Sequence, residues 1–403
     1  MRWNEKAGLL AQSERIGCKK RRARGPERRP AVKKRSTGEA KVTRTATSMK
    51  GREQLTIGLD LGDRVSHVCV LDAGGEVVEE ERVATTKSAM ERKFAIGRYG
   101  RCRIALEVGT HSPWVSRLLK ALGHEVLVAN SRKLRFIYQS RGKTDRVDAR
   151  SLARVARLDE ALLSTIELRP EALAQDLAVL RTRDLLVRTR VKLIGPARGS
   201  VKAAGHRLKS SSTRAFTTEA GPMVPDELKE TLAPVLSAID ALSEQIRQLN
   251  RRVLELGKKK YPQTAVLRQV CGVGPVLSLA YLLTLQRPER FAKSRMVGPY
   301  LGLVPARRQS GEKDPQLRIT KEGDSFLRRL LVQGGQYILG PFAPESDLRR
   351  FGRALEARGG KHAKKRAVIA VARKLAVLLH RLWPEFDERW PGLGSPSDTP
   401  ALT

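Results

Sequence analysis

Three strand-like segments lie close together between Leu55 and Val83, and they constrain the fold more than any other feature of the sequence. They read LTIGLDL, SHVCVLD and EVVEEERV, and short links containing Gly or Asp separate them. This spacing predicts three adjacent strands. Downstream, a helical pattern around TKSAMERKFAIGRYG leads to the strand CRIALEV, the helix SPWVSRLLKALG, the strand HEVLVAN and the helical turns of SRKLRFIYQ. The order βββαβαβα predicts an α/β domain.

A further helix, starting at Thr144, closes this domain. Its apolar residues Val147, Leu152, Val155 and Leu158 fall on or near one face at helical spacing. Residues from about 165 to 215 stay helical in composition but become densely basic. We interpret this region as a surface that follows a phosphate backbone, with a solvated helix face as the alternative. Its cations are Arg181, Arg183, Arg188, Arg190, Lys192, Arg198, Lys202 and Arg207.

A heptad pattern runs from Pro234 to Lys258. Apolar residues recur there at spacings of four and three, which is the pattern of a coiled-coil seam. The seam residues are Val235, Ile239, Leu242, Ile246, Leu249, Val253 and Leu256. The pattern lasts about three heptads and favours self-association of the protein. A helix packed within its own subunit is the alternative.

The region from Tyr261 to about Trp383 contains LRQVCGVGPVLSLAYLL, in which two apolar helical stretches flank Gly272-Val273-Gly274. This predicts a helix-hairpin-helix, because glycines let backbone N–H groups approach a phosphate and the second helix presents its N-terminus to that anion. A plain helical hairpin with a glycine turn is the alternative.

These patterns divide the chain into five parts. Residues 1–52 are predicted to be a disordered basic arm, with a translation start at Met49 as the alternative. Residues 53–165 form the α/β domain and residues 166–260 the basic helices and coiled coil. Residues 261–384 form a mostly α-helical C-terminal domain, and residues 385–403 a flexible tail rich in Pro, Gly and Ser.

The charge of the chain predicts a nucleic-acid partner. Lys and Arg number 78 against 42 Asp and Glu, so the net charge is +36. The electrostatic field of a protein with this positive charge attracts polyanions. The sequence lacks an apolar run of about 18 residues, a signal peptide and an amphipathic anchor, so nucleic acid is preferred over a membrane.

The cysteines indicate the compartment. Cys18, Cys69, Cys102 and Cys271 are scattered without a CxxC pair, which argues against both a zinc site and a disulfide framework. A reducing cytoplasm is the expected location.

Four acidic residues form the candidate catalytic site. Asp60 and Glu107 end the first and fourth predicted strands, and Asp145 and Asp148 lie at i and i+3 on the closing helix. If the fourth strand lies beside the first, the four carboxylates converge. Clustered carboxylates suit Mg²⁺, or Mn²⁺, and two such ions can promote phosphoryl transfer. Separately, each acid has an ordinary explanation as a cap, an arginine partner or a helix-terminus charge.

Motifs in both halves of the chain resemble one known family. IGLDLGDRVSHVCVLD, ALEVGTHSPWVSRLL and KTDRVDARSLARV are similar to the ribonuclease-H-like (RuvC-like) DEDD domain of insertion sequence 110 family transposases. YLGLVPARRQSG, ITKEGDSFLRRLL and KKRAVIAVARKL resemble the C-terminal domain of the same family. The resemblance covers about residues 55–383.

The resemblance implies a mechanism and partners. Asp60, Glu107, Asp145 and Asp148 would be the DEDD acids, and the nucleophilic serine would be Ser310, which attacks a DNA phosphate and becomes covalently linked to it. A structured RNA from the element would pair with donor and target DNA, so the protein need only hold backbones. The protein would act as a dimer or tetramer.

We expect seven residues to contact nucleic acid. They are Lys143, Arg146, Gly272, Gly274, Arg308, Lys321 and Arg328. Three features depart from the family pattern: Gln309 stands where many members have a second serine, the basic arm before Leu55 has no usual counterpart, and the loop GEKDPQLR that follows Ser310 is poor in glycine.

Two other functions fit parts of this pattern. A Holliday-junction resolvase-like nuclease would use the same acids with metal-bound water and would not need Ser310. A non-catalytic nucleic-acid-binding protein, held together by its coiled coil, would need neither the acids nor the serine.

Overall fold

The computed structural model describes residues 55–131, 134, 144–311, 315 and 317–389. Four predictions lie wholly or partly outside the described residues: the basic arm, most of the helical turns of SRKLRFIYQ, the contact made by Lys143 and residues 390–403 of the C-terminal tail. Residues 385–389 belong to a helix that ends at Arg389, so the prediction of a flexible tail from residue 385 is corrected for them.

A five-stranded sheet forms the N-terminal part of the described chain. Its strands are β1 Thr56–Asp60, β2 Val65–Leu71, β3 Val77–Ala84, β4 Arg103–Glu107 and β5 Glu125–Ala129. The order across the sheet is β3-β2-β1-β4-β5. The first three strands are antiparallel neighbours, whereas β4 is parallel to β1 and β5 is parallel to β4. The three adjacent strands and the position of the fourth beside the first therefore agree with the sequence pattern.

Helices cover the sheet and form the rest of the described chain. In the N-terminal part they are α1 Lys87–Lys93, α2 Ile96–Tyr99, α3 Ser112–Ala121 and α4 Asp145–Leu158. Two long helices follow, α5 Glu171–Ala203 and α7 Asp226–Lys259, with the short α6 Phe216–Glu219 between them. The C-terminal part contains α8 Thr264–Leu267, α9 Pro275–Leu285, α10 Val297–Tyr300, α11 Ser325–Leu339, α12 Asp347–Ala357 and α13 Ala363–Arg389. Short 3₁₀ turns are Glu160–Leu163, Gly221–Met223, Pro288–Arg290 and Ser294–Met296.

The two faces of β1 pack against different helices because strand side chains alternate. Ile57 and Leu59 are fully buried. They belong to the same core cluster as Met90 of α1 and Phe94, which directly follows that helix. The opposite face carries Gly58, over which α4 passes at very short range. The N-terminal part is thus a three-layer α/β/α arrangement.

Gly58 permits the close approach of α4. A Cβ atom at this position would lie 1.9 Å from the carbonyl oxygen of Ala149 and 2.6 Å from the amide nitrogen of Ala153. Both atoms belong to the backbone of α4, so no side-chain movement could make room. The lack of a side chain at Gly58 is what lets helix and strand meet.

The heptad seam packs within the chain. Ile239, Ile246 and Val253 of α7 are buried, and α7 lies against α5. Arg183 Nε donates to Asn250 Oδ1 at 2.6 Å, and an Arg190 N–H donates to Ser243 Oγ at 3.1 Å.

As the residue number rises along α5, that of its partner on α7 falls, so the two helices are antiparallel. The expectation that this seam joins two subunits is therefore corrected. A 3.5-residue apolar repeat specifies a helical partner but not the chain that supplies it.

The C-terminal part is mostly helical, as predicted, and is built around α9. Nine consecutive residues of this helix, Leu277–Leu285, are buried. The apolar helix predicted before Gly272 is shorter than expected, because the regular helix α8 ends at Leu267 and turns follow. Across the described ranges, no helix combines the length and apolar character needed to cross a bilayer.

Candidate active site

Asp60 and Glu107 end two neighbouring strands. Strands β1 and β4 are parallel, with Leu59 opposite Leu106, so the next residue on each strand, Asp60 and Glu107, lies at the same edge of the sheet. Both side chains are half-buried. Alternation places Asp60 on the face of Gly58, and Glu107 on the face of Ala105. Ala105 packs with residues of α4, so both acids are on the face that α4 covers.

Asp145 and Asp148 lie in the first turn of α4. Thr144 caps this helix, because its hydroxyl oxygen accepts a hydrogen bond from the Val147 N–H at 3.3 Å. Asp148 is only 6% exposed, whereas the Asp145 side chain is 72% exposed. Asp148 is next to Ala149, whose carbonyl oxygen lies over Gly58. The first turn of the helix is therefore held at the level of Asp60.

His67 links the helix to the sheet at this edge. It lies directly opposite Asp60 in the antiparallel β1–β2 pair, and opposed residues of such a pair point to the same face. His67 Nε2 is 3.7 Å from Asp145 Oδ2. The imidazole thus lies on the same face as Asp60 and close to Asp145.

The predicted acids share one edge and one face without forming a closed ion-binding cluster. In the part of the chain that the structure describes, no three His, Cys, Asp or Glu side chains are grouped closely enough to hold a metal ion. The donor set itself fits a hard divalent cation, because carboxylate oxygens are the ligands that Mg²⁺ and Mn²⁺ prefer. Backbone placement and donor chemistry therefore agree with such an ion, while the side chains are not arranged around one.

Glu80 binds the arginine that we expected to contact nucleic acid beside this site. Arg146 Nε donates to Glu80 Oε2 at 2.6 Å, and Arg150 Nε donates to Glu80 Oε1 at 2.8 Å. Burial alone would raise the pKa of Glu80, but the hydrogen bonds from the two arginines outweigh it and lower the pKa. Arg146 remains 66% exposed, so this ion pair leaves part of its guanidinium accessible.

Ser310 lies on a loop of the C-terminal part whose two ends are joined like a hairpin. The Ala306 N–H donates to the Arg318 carbonyl, and the Thr320 N–H donates to the Val304 carbonyl, both at 2.9 Å. Ser310 is exposed. Gly311 follows it with φ of 56°, a left-handed conformation that glycine adopts without strain. The serine is thus presented to solvent.

Basic residues around this loop have different roles. Arg307, Arg308 and Lys321 are exposed. Arg328 instead donates to the carbonyl oxygens of Leu301 at 3.0 Å and Glu322 at 2.6 Å. Arg328 therefore holds the start and end of the loop together, a structural role that its position in the sequence did not indicate.

The basic helix α5 is less available to phosphates than its sequence suggested. Arg190 is 7% exposed and donates to Ser243 on α7. Arg183 also donates to α7, and Arg198 donates to Ser211 Oγ at 2.8 Å. The interpretation of this helix as one continuous phosphate-binding surface is corrected for these arginines, because they fasten the helical hairpin together.

The two glycines of the predicted helix-hairpin-helix differ in their surroundings. A Cβ at Gly272 would lie 2.9 Å from the Gly334 carbonyl oxygen, and its φ is 81°. This glycine is explained by packing against α11. Gly274 is exposed, precedes the first residue of α9 and has open space around its Cα. Of the two, Gly274 has the more open approach for a phosphate.

Comparison with known proteins gives the family. Residues 57–203 match the DEDD transposase model of IS110 elements, described as Transposase, and residues 264–347 match the Transposase IS116/IS110/IS902 family. The chain belongs to the IS110 family of transposases.

Curated relatives agree with this assignment. The chain is similar to the transposase for insertion sequence element IS1111A of Coxiella burnetii, with 25% identity over 81% of this chain and 88% of that protein. It is also similar to a probable family 20 transposase of Pseudomonas aeruginosa, with 26% identity over 73% of this chain and 86% of that protein. A third relative, the transposase for IS1328 of Yersinia enterocolitica, is 26% identical over 69% of this chain and 81% of that protein. The protein is a DNA transposase.

Sequence reasoning missed two residues near the acidic edge of this transposase. His67 faces Asp60, and the tight link between β1 and β2 is the signal that could have placed it there. Glu80, which binds Arg146 across 66 residues of sequence, had no local signal, because the contact depends on how α4 packs on the sheet.

Proposed function

We propose that this transposase cleaves and rejoins DNA strands with a divalent cation at the acidic edge and Ser310 as the nucleophile. Mg²⁺ is the expected ion, and Mn²⁺ is the substitute. The observation that carries the proposal is the register of β1 and β4, which puts Asp60 and Glu107 at one sheet edge under the first turn of α4.

The chain supplies ligands from two rigid elements. Asp60 and Glu107 would hold the ion from the sheet, and Asp145 and Asp148 would hold it from the helix. A divalent cation, when bound there, supplies positive charge that stabilises a phosphate under attack. Ligands on strands and helices keep their positions better than ligands on loops, which suits a site that must align a DNA phosphate.

Ser310 would perform the covalent step. Its Oγ forms a bond to phosphorus while the bond between phosphorus and the leaving sugar oxygen breaks. The hydroxyl loses its proton, and the leaving oxygen takes one up. The exposure of Ser310 lets DNA reach it, and the exposed guanidiniums of Arg307 and Arg308 would bind phosphate oxygens. Because the link to serine retains a phosphodiester, strands can be rejoined without another energy source.

The remaining parts of the proposal concern domains and partners. Residues 53–165 would form the ribonuclease-H-like DEDD domain, and residues 261–384 the C-terminal transposase domain. Donor and target DNA would be bound through their backbones, and a structured RNA from the element would supply sequence specificity. The charge of +36 supports contact with long polyanions. Arg146, Gly274, Arg308 and Lys321 would contribute phosphate contacts, in an assembly of more than one subunit.

The first experiment incubates the full-length protein with Mg²⁺, labelled donor DNA and RNA transcribed from the flanking DNA. We expect label to become covalently attached to the protein at Ser310. Ser310→Ala abolishes this attachment, and Ser210→Ala, which changes another exposed serine, leaves it intact. If Ser310→Ala protein cuts DNA at the parental rate without a covalent link, the water-using nuclease is correct instead.

The second experiment measures cation binding directly by calorimetry. Asp60→Asn is expected to weaken Mg²⁺ and Mn²⁺ binding at least tenfold, which corresponds to about 1.4 kcal/mol. Asp63→Asn, at a nearby exposed aspartate, is the matched control. Equal binding by both variants would contradict the acidic site, and full strand transfer by Asp60→Asn protein would favour a role for this region in binding alone.

A further inference from the structure

A large groove in the C-terminal part lies beside the Ser310 loop. Its volume is about 1960 Å³, well above the roughly 300–1,000 Å³ typical of small-molecule pockets. Its walls come from the base of that loop and from α11, α12 and α13. The size and the open shape suit part of a polymer rather than a small metabolite.

The groove is strongly cationic. Eleven Lys and Arg side chains line it, against the single carboxylate of Asp347, and Asp347 is already ion-paired with Arg350. Within the described ranges, Lys361, Lys365 and Arg381 form no ion pair with a carboxylate. All three are exposed. The lining therefore offers uncompensated positive charge to a polyanion.

Between these cations the groove has an apolar surface. Val332, Leu348, Phe351 and Ile369 line it, and all four are half-buried, so part of each side chain stays accessible. The ammonium of Lys374 lies 3.9 Å from the centre of the Phe351 ring. Cations and apolar side chains are thus presented together.

This combination distinguishes an unpaired strand from a duplex. A duplex presents its phosphates outward and keeps its base faces stacked inside, so an apolar surface gains nothing from it. An unpaired strand exposes both its phosphates and its base faces. Proteins bind such strands with grooves that pair cations for the backbone with apolar or aromatic side chains for the bases.

We infer that this groove binds an unpaired DNA strand and leads it to Ser310. Leu317, Arg318 and Ile319 line the groove and belong to the same loop as the serine, so a strand lying in the groove passes the base of that loop. DNA is the chosen ligand because the neighbouring serine is proposed to react with DNA. The choice of DNA and the direction of the strand toward Ser310 rest on the proposed function, whereas binding of an unpaired strand in the groove does not.

The test measures binding in a Ser310→Ala background, so that no covalent product interferes. A groove variant, Lys361→Gln with Lys365→Gln and Arg381→Gln, is compared with a control of equal charge loss, Lys120→Gln with Lys258→Gln and Lys259→Gln. The control residues are exposed and lie outside the groove. The probes are a fluorescent oligonucleotide, its duplex and an RNA of the same sequence, followed by anisotropy across a salt series.

We expect the groove variant to bind the unpaired DNA at least about tenfold more weakly than the control does. Its log–log salt slope should be flatter by up to about two, because each lost phosphate contact on a single strand contributes roughly 0.7. Leu317→Ser, which leaves the charge unchanged, should weaken binding of the unpaired strand and spare the duplex. Unchanged circular dichroism and melting temperature establish that the variants are folded.

Other outcomes overturn the inference. Equal affinity of the groove variant and the control variant excludes the site. If the groove variant loses as much affinity for the duplex as for the unpaired DNA strand, the preference for unpaired DNA is excluded. If it loses more affinity for the RNA than for the DNA strand, DNA is excluded as the ligand. With Ser310 restored, groove-dependent binding without covalent attachment would contradict the serine nucleophile while leaving the groove in place.

Discussion

Replacing Gly58 by alanine tests whether the contact between β1 and α4 creates the acidic edge. The added Cβ would lie 1.9 Å from the Ala149 carbonyl oxygen and 2.6 Å from the Ala153 amide nitrogen. Ordinary contacts are longer than 3 Å, so α4 must move away from the sheet by about 1 Å or more. The movement carries Asp145 and Asp148 with it, because they lie in the first turn of the same helix.

The expected cost follows from the rigidity of the two blocking atoms. Overpacking a core costs about 1–3 kcal/mol when side chains can adjust. Here the Ala149 oxygen and the Ala153 nitrogen both belong to the helix backbone. We therefore expect Gly58→Ala to lower the free energy of unfolding by about 3 kcal/mol, the upper end of this range. The entropy of unfolding is about 2.1 cal/mol/K per residue, so in a chain of this length each kcal/mol lowers the melting temperature by roughly 1 °C, and the midpoint should fall by about 3–4 °C.

The assay pairs thermal unfolding with calorimetric titration of Mg²⁺. Gly97→Ala is the matched control, because a Cβ at Gly97 has no neighbouring atom within 4 Å and the residue lies in the short helix α2. We expect Gly58→Ala to lose both stability and cation affinity, and Gly97→Ala to lose neither. A Gly58→Ala protein with the melting temperature of the control would refute the steric reasoning. Lower stability with unchanged Mg²⁺ affinity would instead separate the helix position from ion binding.

Three further predictions use other contacts. Ile246→Ala should cost about 2–4 kcal/mol in urea unfolding without changing the mass measured by light scattering, because its side chain is buried within its own chain. Burial of the Glu79 carboxyl opposes its ionisation, but it accepts hydrogen bonds that outweigh burial. The strongest of these comes from Lys93, and the pKa of Glu79 falls from 4.5 to about 2. The contribution of Glu79 to the free energy of unfolding is thus complete above about pH 4.5 and lost as pH falls toward 2. Between pH 5 and pH 2, the urea midpoint of the Glu79→Gln variant should therefore fall less with pH than that of the parent protein. Glu80→Gln removes the carboxylate charge that pairs with Arg146 and Arg150, and should steepen the log–log salt dependence of duplex DNA binding by up to about two, since each added phosphate contact contributes about 0.9.

The sheet edge was predictable because its signals are local. Short links bring consecutive strands together, and a two-residue alternation decides which side chains share a face. Asp60 and Glu107 each end a strand, so the parallel pairing of β1 and β4 brings them to one edge. The i, i+3 spacing of Asp145 and Asp148 likewise puts both in the first turn of one helix. These rules give the edge position of Asp60 and Glu107 and the shared turn of Asp145 and Asp148, whereas the packing of α4 over Gly58 brings that turn to the sheet.

Contacts between distant elements were not predictable in this way. The apolar repeat of α7 fits a partner helix from its own chain as well as one from another chain. In the structure that partner is α5 of the same chain, which packs antiparallel to α7. Arg183 and Arg190 had the spacing of solvent-facing cations, yet they donate to Asn250 and Ser243. Such pairings depend on three-dimensional packing that no single segment encodes.

Burial separates the two proposed halves of the reaction. The acidic edge is built on strand ends and a capped helix, which fix the backbones of its acids, and Asp148 is only 6% exposed. Ser310 is exposed on a loop and is followed by a glycine in the left-handed region. This division has a physical basis: cation ligands must be fixed before the substrate arrives, because reorganising charged groups during the reaction is costly. A nucleophile that becomes joined to a long polymer must instead be reachable from solvent. An exposed serine and an acidic edge held by a strand end and a capped helix meet these two demands, and a buried serine would fail the second.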